Sequence, residues 1–329
     1  MAARACSVCH NAAGNRPFRA REMMFGLRDE FDYVQCGGCG CVQIEQVPEH
    51  LERYYPSEYY PGVAEWIASS GVKRKLRHER AKYCLSGSGL FGRVLVRLFG
   101  RPTCGIFGQP DYYVWLGRCG ADFSSRILDL GCGSGELLGC LYRDGFKDLT
   151  GVDPFVKKST NYSEGFRILK QDIYGLEGKF DLIMLHHTFE HLPEPLAVLK
   201  HLHNLLDRDG HLIIRIPVAS SHAYRTYGSN WAQLDAPRHL FLHTYASMNI
   251  LTGKAGFKVA EVVCDSDEFQ FWASEQYLRD IPLKDRRSYS VNPAGSAFSP
   301  GEILAFRRAA AELNAKLDGD SACFYLVRN

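Results

Sequence analysis

The stretch Ile127-Leu128-Asp129-Leu130-Gly131-Cys132-Gly133-Ser134-Gly135 decides the fold that the sequence predicts. A short apolar segment runs directly into three alternating glycines, and a helix-compatible segment begins near Glu136. Glycine lets the backbone turn sharply and lets a ligand approach the main chain. The first amide groups of the following helix are free to bind a polar ligand. We therefore predict a buried strand, a ligand-binding loop and a helix, in that order.

Two common phosphate-binding motifs do not fit this loop. The dinucleotide fingerprint would need glycine where the chain has Glu136, and the P-loop would need a Gly-Lys-Ser/Thr sequence. An acidic residue at the start of the helix is also unfavourable for a pyrophosphate. Asp129, two residues before the first glycine, instead suits a ligand that carries a positive charge.

Strand-like and helix-like segments alternate from Arg126 onward. Seven segments are short, apolar and partly β-branched, as expected of strands: Ile127–Leu130, Thr150–Val152, Phe166–Leu169, Phe180–Leu185, Leu212–Ile216, Phe257–Val263 and Cys323–Val327. Helical patterns cover Glu136–Arg143, Pro195–Leu206, Tyr245–Gly253 and Ser299–Leu317. This alternation predicts βαβ units, and hence an α/β fold with a doubly wound parallel sheet.

Acidic residues follow the second and third predicted strands. Asp153 lies eighteen residues after Gly135, where a carboxylate at a strand end can bind both hydroxyls of a ribose. Asp172 follows the next strand and could accept a hydrogen bond from an adenine amino group. The three features in this order make it improbable that the glycines serve only as turns.

In these residues the chain resembles the class I S-adenosylmethionine-dependent methyltransferases, over about residues 110–265 and the final strand. The resemblance implies a seven-stranded Rossmann-like sheet with a reversed last hairpin. It also implies that the glycine loop passes under the methionine part of S-adenosylmethionine. The cofactor-binding positions implied are Asp129, Gly131, Cys132, Gly133, Gly135, Asp153, Pro154, Asp172, Ile173 and His186.

A histidine-rich loop, 186–195, follows the fourth predicted strand. Its sequence resembles the corresponding loop in the branch of the family that methylates small molecules, which includes ubiquinone-pathway and sugar methyltransferases. Because histidine can take a hydroxyl proton at neutral pH, His187, His191 and His239 are candidate general bases. Glu190 could orient a neighbouring histidine or stabilise the sulfonium side of the cofactor. Each histidine could instead bond to backbone or cap a helix.

The acceptor is less well defined by the sequence. The loop lacks the Asp/Asn-Pro-Pro-Tyr motif and the cysteine nucleophile found in many nucleic-acid methyltransferases. We therefore expect transfer to a sugar or other small polar acceptor, with O-methylation favoured, in surface-glycan or secondary-metabolite biosynthesis. A nucleic acid partner is unlikely by this reasoning. Two alternatives remain open: an RNA-modifying methyltransferase, and a cofactor-binding regulatory subunit without turnover.

Cysteines cluster near the N-terminus. The pairs Cys6-x-x-Cys9 and Cys36-x-x-Cys39 can each direct two thiolates at one ion, which predicts a structural zinc site in a zinc-ribbon domain. Cys41 and His10 are spare, and either could replace a ligand. With four thiolates bound the ion has no open position, so its predicted role is in folding rather than catalysis.

The segment between the two predicted domains is aromatic and basic. Residues 54–61 read Tyr-Tyr-Pro-Ser-Glu-Tyr-Tyr-Pro, which predicts a strap over the site or between domains. Residues 73–101 carry nine basic side chains and one acidic one. This charge could attract a phosphorylated substrate, a nucleotide sugar, a membrane surface or RNA, or could simply be a solvated helix face.

Composition is that of an ordinary globular protein. The 329 residues include 46% hydrophobic residues, and 39 basic against 37 acidic residues give a net charge of +2. No apolar stretch is long enough to span a bilayer, and the first twenty residues lack the apolar core of a secretory signal, so we expect a cytoplasmic protein. We predict a zinc ribbon over 1–50, a linker over 51–120 and a methyltransferase domain over 121–329.

Overall fold

The structure is a computed structural model that describes residues 5–55, 71–102 and 112–329. Its chain divides into two compact units. The first unit comprises residues 1–55, 187–199 and 214–324, and the second comprises 56–186, 200–213 and 325–329. Residues 56–61 of the tyrosine-rich stretch lie outside the described residues. No helix in the described ranges is long and apolar enough to cross a membrane.

The second unit contains a parallel arrangement of strands around the glycine loop. Strand β4 (Arg126–Leu130) pairs in parallel with β5 (Asp148–Val152) on one side and β8 (Phe180–His186) on the other. Strand β5 pairs in parallel with β7 (Phe166–Leu169). The carboxyl ends of these four strands therefore lie at one edge, where ligands bind in open α/β sheets.

Within the described residues the large sheet has eight strands, in the order β11-β12-β9-β8-β4-β5-β7-β6. Strands β9 (Leu206–Pro217), β11 (Phe257–Cys264) and β12 (Ser321–Arg328) complete the seven strands that the sequence predicts. The eighth, β6 (Thr160–Ser163), pairs antiparallel with β7 at the edge. Its four polar residues are half-buried or exposed, so no apolar pattern marks it in the sequence.

Nine helices are described. Their bounds are α1 Gly71–Ser86, α2 Leu90–Phe99, α3 Tyr112–Arg118, α4 Glu136–Asp144, α5 Pro195–Leu205, α6 His222–Tyr227, α7 Tyr245–Lys254, α8 Phe269–Leu278 and α9 Pro300–Ala315, counted within the described ranges. Local sequence explains the helix starts that were predicted. The Ser299 hydroxyl caps α9 in a capping box with Glu302, and Thr244 does the same for α7 with Ser247.

A second, antiparallel sheet lies in the first unit. It has the order β1-β2-β3-β10, from β1 (Arg16–Arg21), β2 (Glu30–Gln35), β3 (Val42–Ile44) and β10 (Phe241–Leu242). The two-residue strand β10 pairs antiparallel with β3, although about two hundred residues separate them in the chain. The small sheet therefore contains a strand from the C-terminal part of the protein as well as the cysteine-rich segment.

An aromatic core supports the C-terminal helices of the first unit. Trp272, Tyr277 and Phe298 are buried together with Met23, which comes from the loop after β1. Trp231, like Trp272, is a buried side chain. The Trp231 indole N–H donates to Asp320 Oδ2 at 2.9 Å, which is a packing role.

A buried carboxylate holds α1 and α3 against α4 in the second unit. Asp144 is fully buried and accepts hydrogen bonds from the hydroxyls of Tyr112 and Tyr113 and from Nε of Arg77. Nδ1 of His78 lies 2.9 Å from the Asp144 carbonyl oxygen. One member of the basic segment, Arg77, is therefore a structural ion-pair partner.

Replacing Asp144 by alanine is expected to lower the free energy of unfolding by about 3–5 kcal/mol, because it leaves the largely buried Arg77 guanidinium uncompensated. Asp148→Ala, at the exposed first position of β5, is the matched control and should change stability by less than about 0.5 kcal/mol. Urea denaturation followed by circular dichroism measures both. Equal urea midpoints for the two variants would contradict the role of Asp144 as the buried ion-pair partner of Arg77.

Candidate functional site

The glycine loop follows β4 in the second unit. Gly131, Gly133 and Gly135 have φ angles of 74°, 53° and 77°, a region that favours glycine. The Gly131 amide donates to the Val152 carbonyl at 2.8 Å, which closes the loop onto β5. A Cβ on Gly133 would meet no atom within 4 Å, so the space above that residue is open to a ligand.

Two carboxylates lie at the ends of β4 and β5. The Asp153 carboxylate accepts hydrogen bonds from the amides of Gly133 at 3.0 Å and Phe155 at 2.8 Å, which fix its orientation. Burial raises the pKa of Asp153. Burial, helped by the charge of Asp153, raises the pKa of Asp129 to about 8. A cationic ligand at this edge would therefore stabilise the ionised form of both groups.

Three other predicted cofactor positions, Cys132, Asp172 and His186, make contacts within the protein itself. Cys132 packs against β5, since a Cβ on Gly151 would lie 2.6 Å from the Cys132 Sγ. Asp172 is exposed and accepts a hydrogen bond at 3.1 Å from Gly175, which caps the 3₁₀ helix Ile173–Gly175. His186, the last residue of β8, is buried, and its ring lies 4.3 Å from the ring of Trp115 in α3.

This part of the molecule suits S-adenosylmethionine. The open space at Gly133 and the adjacent carboxylates of Asp129 and Asp153 offer a place for the ammonium and hydroxyl groups of such a ligand. Pro154 is exposed immediately after Asp153, and Ile173 is buried after Asp172. The cofactor roles of the ten predicted positions stay predictions.

The four predicted metal ligands in the first unit lie together. Their Sγ atoms are all within 4.8 Å of one another, with Cys6 and Cys39 3.7 Å apart and Cys9 and Cys36 3.4 Å apart. Four thiolates bound tetrahedrally to zinc at about 2.3 Å would be about 3.8 Å apart. Amides of Gly38 and Cys39 point at the Cys36 sulfur from 3.3 and 3.4 Å. The donor set therefore fits a structural zinc ion.

Neither spare residue joins this cysteine cluster. Cys41 is fully buried, and its Sγ lies 3.8 Å from Nδ1 of His243. His10 is exposed. Cys6, Cys9, Cys36 and Cys39 are thus the residues that could hold a zinc ion in this part of the described chain.

The three candidate bases belong to one group of side chains in the first unit, which we call the histidine cluster: His187, Glu190, His191 and His239. Glu190 lies at the centre of this cluster and is fully buried. Nδ1 of His187 lies 3.4 Å and Nε2 of His239 lies 3.9 Å from Oε1 of Glu190. The rings of His191 and His239 are 4.7 Å apart in an edge-to-face arrangement.

His187 is held from both sides. Its backbone has a φ of 50°, and its amide donates to the Arg215 carbonyl at 2.9 Å. Its Nε2 accepts a hydrogen bond from the Arg215 guanidinium, which in turn pairs with Asp265 at 2.5 Å. Burial and the charge of Arg215 lower the pKa of His187. These contacts favour an orienting role for His187 rather than proton transfer.

His191 and His239 each bond to backbone through one nitrogen. Nδ1 of His191 lies 2.8 Å from the Arg238 carbonyl oxygen and 3.1 Å from the Tyr55 hydroxyl, and Nδ1 of His239 lies 2.7 Å from the Gln233 carbonyl oxygen. Because a carbonyl only accepts, each Nδ1 carries the proton and each Nε2 keeps a lone pair. Burial and the proximity of His239 lower the pKa of His191 to about 4.

Glu190 is ionised in this environment. Burial opposes ionisation, but the interaction with the His187 imidazole and the nearby His191 and His239 lowers the pKa of Glu190 to about 2. The cluster therefore combines a buried carboxylate with two imidazole lone pairs. Such a set can accept a proton or bind a cation.

A buried guanidinium holds the chain around His239 in place. Arg238 is fully buried, and Nη2 contacts Glu22 Oε1 at 3.0 Å and Asp235 Oδ1 at 2.5 Å. Nη1 donates to the Tyr54 carbonyl at 3.1 Å. Tyr54 itself is buried, with its hydroxyl donating to Asp29 at 2.8 Å, so the start of the tyrosine-rich stretch packs within this unit.

Sequence reasoning missed Trp115, Arg215 and the brace formed by Arg238. Arg215 carried a signal, since it is the one charged residue in the apolar run Leu212–Ile216. A charge in a buried strand requires a partner, and that partner is Asp265. No sequence signal marked Trp115 as a residue of the site, because a tryptophan in a helix more often packs in the hydrophobic core.

Known proteins resemble this chain in sequence. Residues 88–262 match a family model described as a methyltransferase domain. A tRNA U34 carboxymethyltransferase from Sulfurimonas denitrificans is 27% identical over 182 residues, covering 50% of this chain and 62% of the relative. Another from Alteromonas mediterranea is 24% identical over 180 residues, covering 47% and 53%. The chain thus spans only part of these relatives' own length.

A solved structure is also similar. A cyclopropane synthase from Mycobacterium tuberculosis is 15% identical, with a TM-score of 0.43, and the match covers 79% of this chain and all of that one.

The cysteine cluster generates a prediction about metal content. Cys36→Ser should lower the zinc content by one ion per chain, because a three-thiolate site binds zinc more weakly. Cys41→Ser, a buried cysteine outside the cluster, should leave it unchanged. Elemental analysis of the purified proteins measures this, and Cys9→Ser serves if the first variant does not fold. Equal zinc in the wild type and both cluster variants would contradict the site.

The raised pKa of Asp129 predicts a pH dependence of cofactor binding. Below about pH 8 Asp129 is protonated and must lose its proton to face a cation, so its contribution to affinity should grow as the pH rises. The ratio of the dissociation constants of Asp129→Asn and wild type for S-adenosylmethionine should increase up to about tenfold per unit from pH 6 to 8. Calorimetric titrations measure the ratio. A ratio independent of pH would refute this role.

Proposed function

Because the chain belongs to the methyltransferase-domain family, we propose that it transfers a methyl group from S-adenosylmethionine to RNA. The family identifies it as an S-adenosylmethionine-dependent methyltransferase. Support for RNA as the acceptor comes from the two relatives named as tRNA U34 carboxymethyltransferases. Those matches cover half of this chain or less, so the acceptor is part of the proposal.

The observation that carries the proposal is a basic surface in the unit that holds the glycine loop. Arg77 and Arg80 are not part of it, because they bond to Asp144 and to the Gly100 carbonyl. The remaining cations are exposed, on α1, on α2 or just after α2: Lys73, Arg74, Lys75, Lys82, Arg93, Arg97 and Arg101. Exposed lysines and arginines supply most of the affinity for a phosphate backbone.

Aromatic side chains accompany these cations. Phe91 and Phe99 of α2 are 54% and 65% exposed, and they lie two positions from Arg93 and Arg97 in the chain. Single-stranded nucleic acid binds where cationic side chains follow the backbone and aromatic rings stack on bases. Helix α2 therefore has the composition expected of an RNA contact.

The chemistry follows from the residues at the strand edge. When bound, S-adenosylmethionine supplies an electrophilic methyl group on a sulfonium. Asp129 and Asp153 would bind and orient it, and much of the acceleration would come from holding the acceptor in line. The histidine cluster begins one residue after β8 in the chain. His191, which is partly exposed, and His239 could accept a proton from a hydroxyl acceptor through Nε2.

The comparisons favour the alternative, an RNA-modifying methyltransferase, over the main expectation from the sequence, which was transfer to a sugar or other small polar acceptor. Neither tRNA relative acts on a glycan by its name, and glycan biosynthesis has no support among the matches. The expectation that a nucleic acid partner is unlikely rested on two motifs absent from the loop after β8. The basic segment 73–101, which the sequence also offered as a contact for RNA, was given less weight than those two absences.

The test is transfer of methyl label from S-adenosylmethionine into a total extract of the source cells. We expect the label in a fraction that ribonuclease degrades, and no label with Asp129→Ala. Label in a nuclease-resistant glycan or nucleotide sugar would overturn the RNA proposal. Cofactor binding without release of S-adenosylhomocysteine would instead favour the non-catalytic subunit.

A charge variant tests the basic surface itself. Lys73→Ala/Arg74→Ala/Lys75→Ala should weaken RNA binding and lower the slope of log affinity against log salt by about 2, at roughly 0.7 per lost phosphate contact. Lys258→Ala/Arg308→Ala/Lys316→Ala removes the same charge from exposed positions in the first unit and is the control. Equal slopes for the two triple variants would exclude α1 as the contact.

A further inference from the structure

The histidine cluster contains a set of atoms with the makeup of a metal site. One carboxylate oxygen of Glu190 and one ring nitrogen each of His191 and His239 lie within 4.8 Å of one another. We propose that these three side chains bind a divalent transition-metal ion, separate from the zinc of the cysteine cluster. A bound ion would occupy both Nε2 lone pairs, so this role replaces proton acceptance by His191 and His239. The proposal does not depend on RNA being the acceptor.

The hydrogen bonds of the two histidines prepare them as ligands. Both Nδ1 atoms carry a proton directed at a backbone carbonyl, of Arg238 and Gln233, at 2.8 and 2.7 Å. The Nε2 lone pairs are therefore left for an ion, and that of His239 lies 3.9 Å from Glu190 Oε1. Histidines that ligate metals almost always donate their other N–H in this way.

The buried carboxylate of Glu190 would be stabilised by a bound cation. Its side chain is fully buried, and its one close polar neighbour is the His187 imidazole, while Oε2 has no hydrogen-bond donor within the described residues. A buried carboxylate with so few donors costs several kcal/mol unless a charge compensates it. The imidazole of His187 approaches Oε1 at 3.4 Å, from the side on which Arg215 holds its other nitrogen.

The charges around Glu190 are compatible with binding of a positive ion. Three buried carboxylates, Glu22, Asp235 and Glu190, belong to this region, and the guanidinium of Arg238 is engaged by the first two. Asp235 Oδ2 also lies 3.9 Å from Nε2 of His239, but both of its oxygens bond to Arg238. Glu190 is therefore the carboxylate that remains for the ion.

The ligand types indicate which ion would bind. Two imidazoles and one carboxylate suit Mn²⁺, Fe²⁺ or Zn²⁺ and leave coordination positions open for water or a substrate oxygen. Thiolates select zinc, whereas Mn²⁺ prefers oxygen and nitrogen ligands. Mn²⁺ therefore distinguishes the histidine cluster from the cysteine cluster in the intact protein.

The experiment is a titration of the zinc-loaded protein with Mn²⁺, followed by electron paramagnetic resonance. We expect saturable binding of one Mn²⁺ per chain and a higher melting temperature with Mn²⁺. Glu190→Gln and His239→Gln should abolish both effects. His222→Gln, the same change on α6 outside the cluster, should retain them.

Folding is checked independently by circular dichroism and zinc content. If the variants of the buried residues do not fold, His191→Gln, at a partly exposed position, provides the test. Failure of the wild type to bind Mn²⁺ or a second Zn²⁺ at millimolar concentration would overturn the proposal, as would unchanged binding in a folded cluster variant. Either result would leave the labelling test of the RNA acceptor unaffected.

Discussion

The buried guanidinium of Arg238 is the constraint on which the histidine cluster depends. It is fully desolvated and is matched by Glu22, by Asp235 and by the Tyr54 carbonyl. A buried cation of this kind is tolerated only when its donors are satisfied. The segment around it is consequently fixed, and its own carbonyl orients His191.

The N-terminal sheet fixes the same segment from another side. The Tyr33 hydroxyl donates to the His239 carbonyl at 2.9 Å, and the Leu240 carbonyl accepts from the Ile44 amide at 3.0 Å. The Thr244 hydroxyl, which caps α7, also donates to the Cys39 carbonyl at 2.6 Å. The cysteine-rich segment thus supports the histidine-bearing segment, and an ion bound by the four cysteines would help to order the histidine cluster.

Local patterns allowed the strands of the α/β sheet, the two cysteine pairs and the glycine loop to be predicted, because each of these depends on residues close together in the chain. The boundary of β7 was predicted to the residue, whereas β6 has no apolar alternation and was missed. The contacts of Glu190 with His239 and of Arg238 with Glu22 and Tyr54 join residues separated by tens to hundreds of positions. A single sequence contains no record of such pairs, so three candidate bases could be proposed but their hydrogen-bond partners could not.

The pairing of β10 with β3 has a consequence for the order of folding. Both cysteine pairs are contained in the first 41 residues, so they can come together as soon as that segment leaves the ribosome. The edge of β3 that receives Phe241 and Leu242 stays unpaired until some two hundred further residues have been synthesised. Unpaired strand edges promote association between chains. The nascent protein therefore carries an open edge through most of its translation, and closing it coincides with assembly of the histidine cluster.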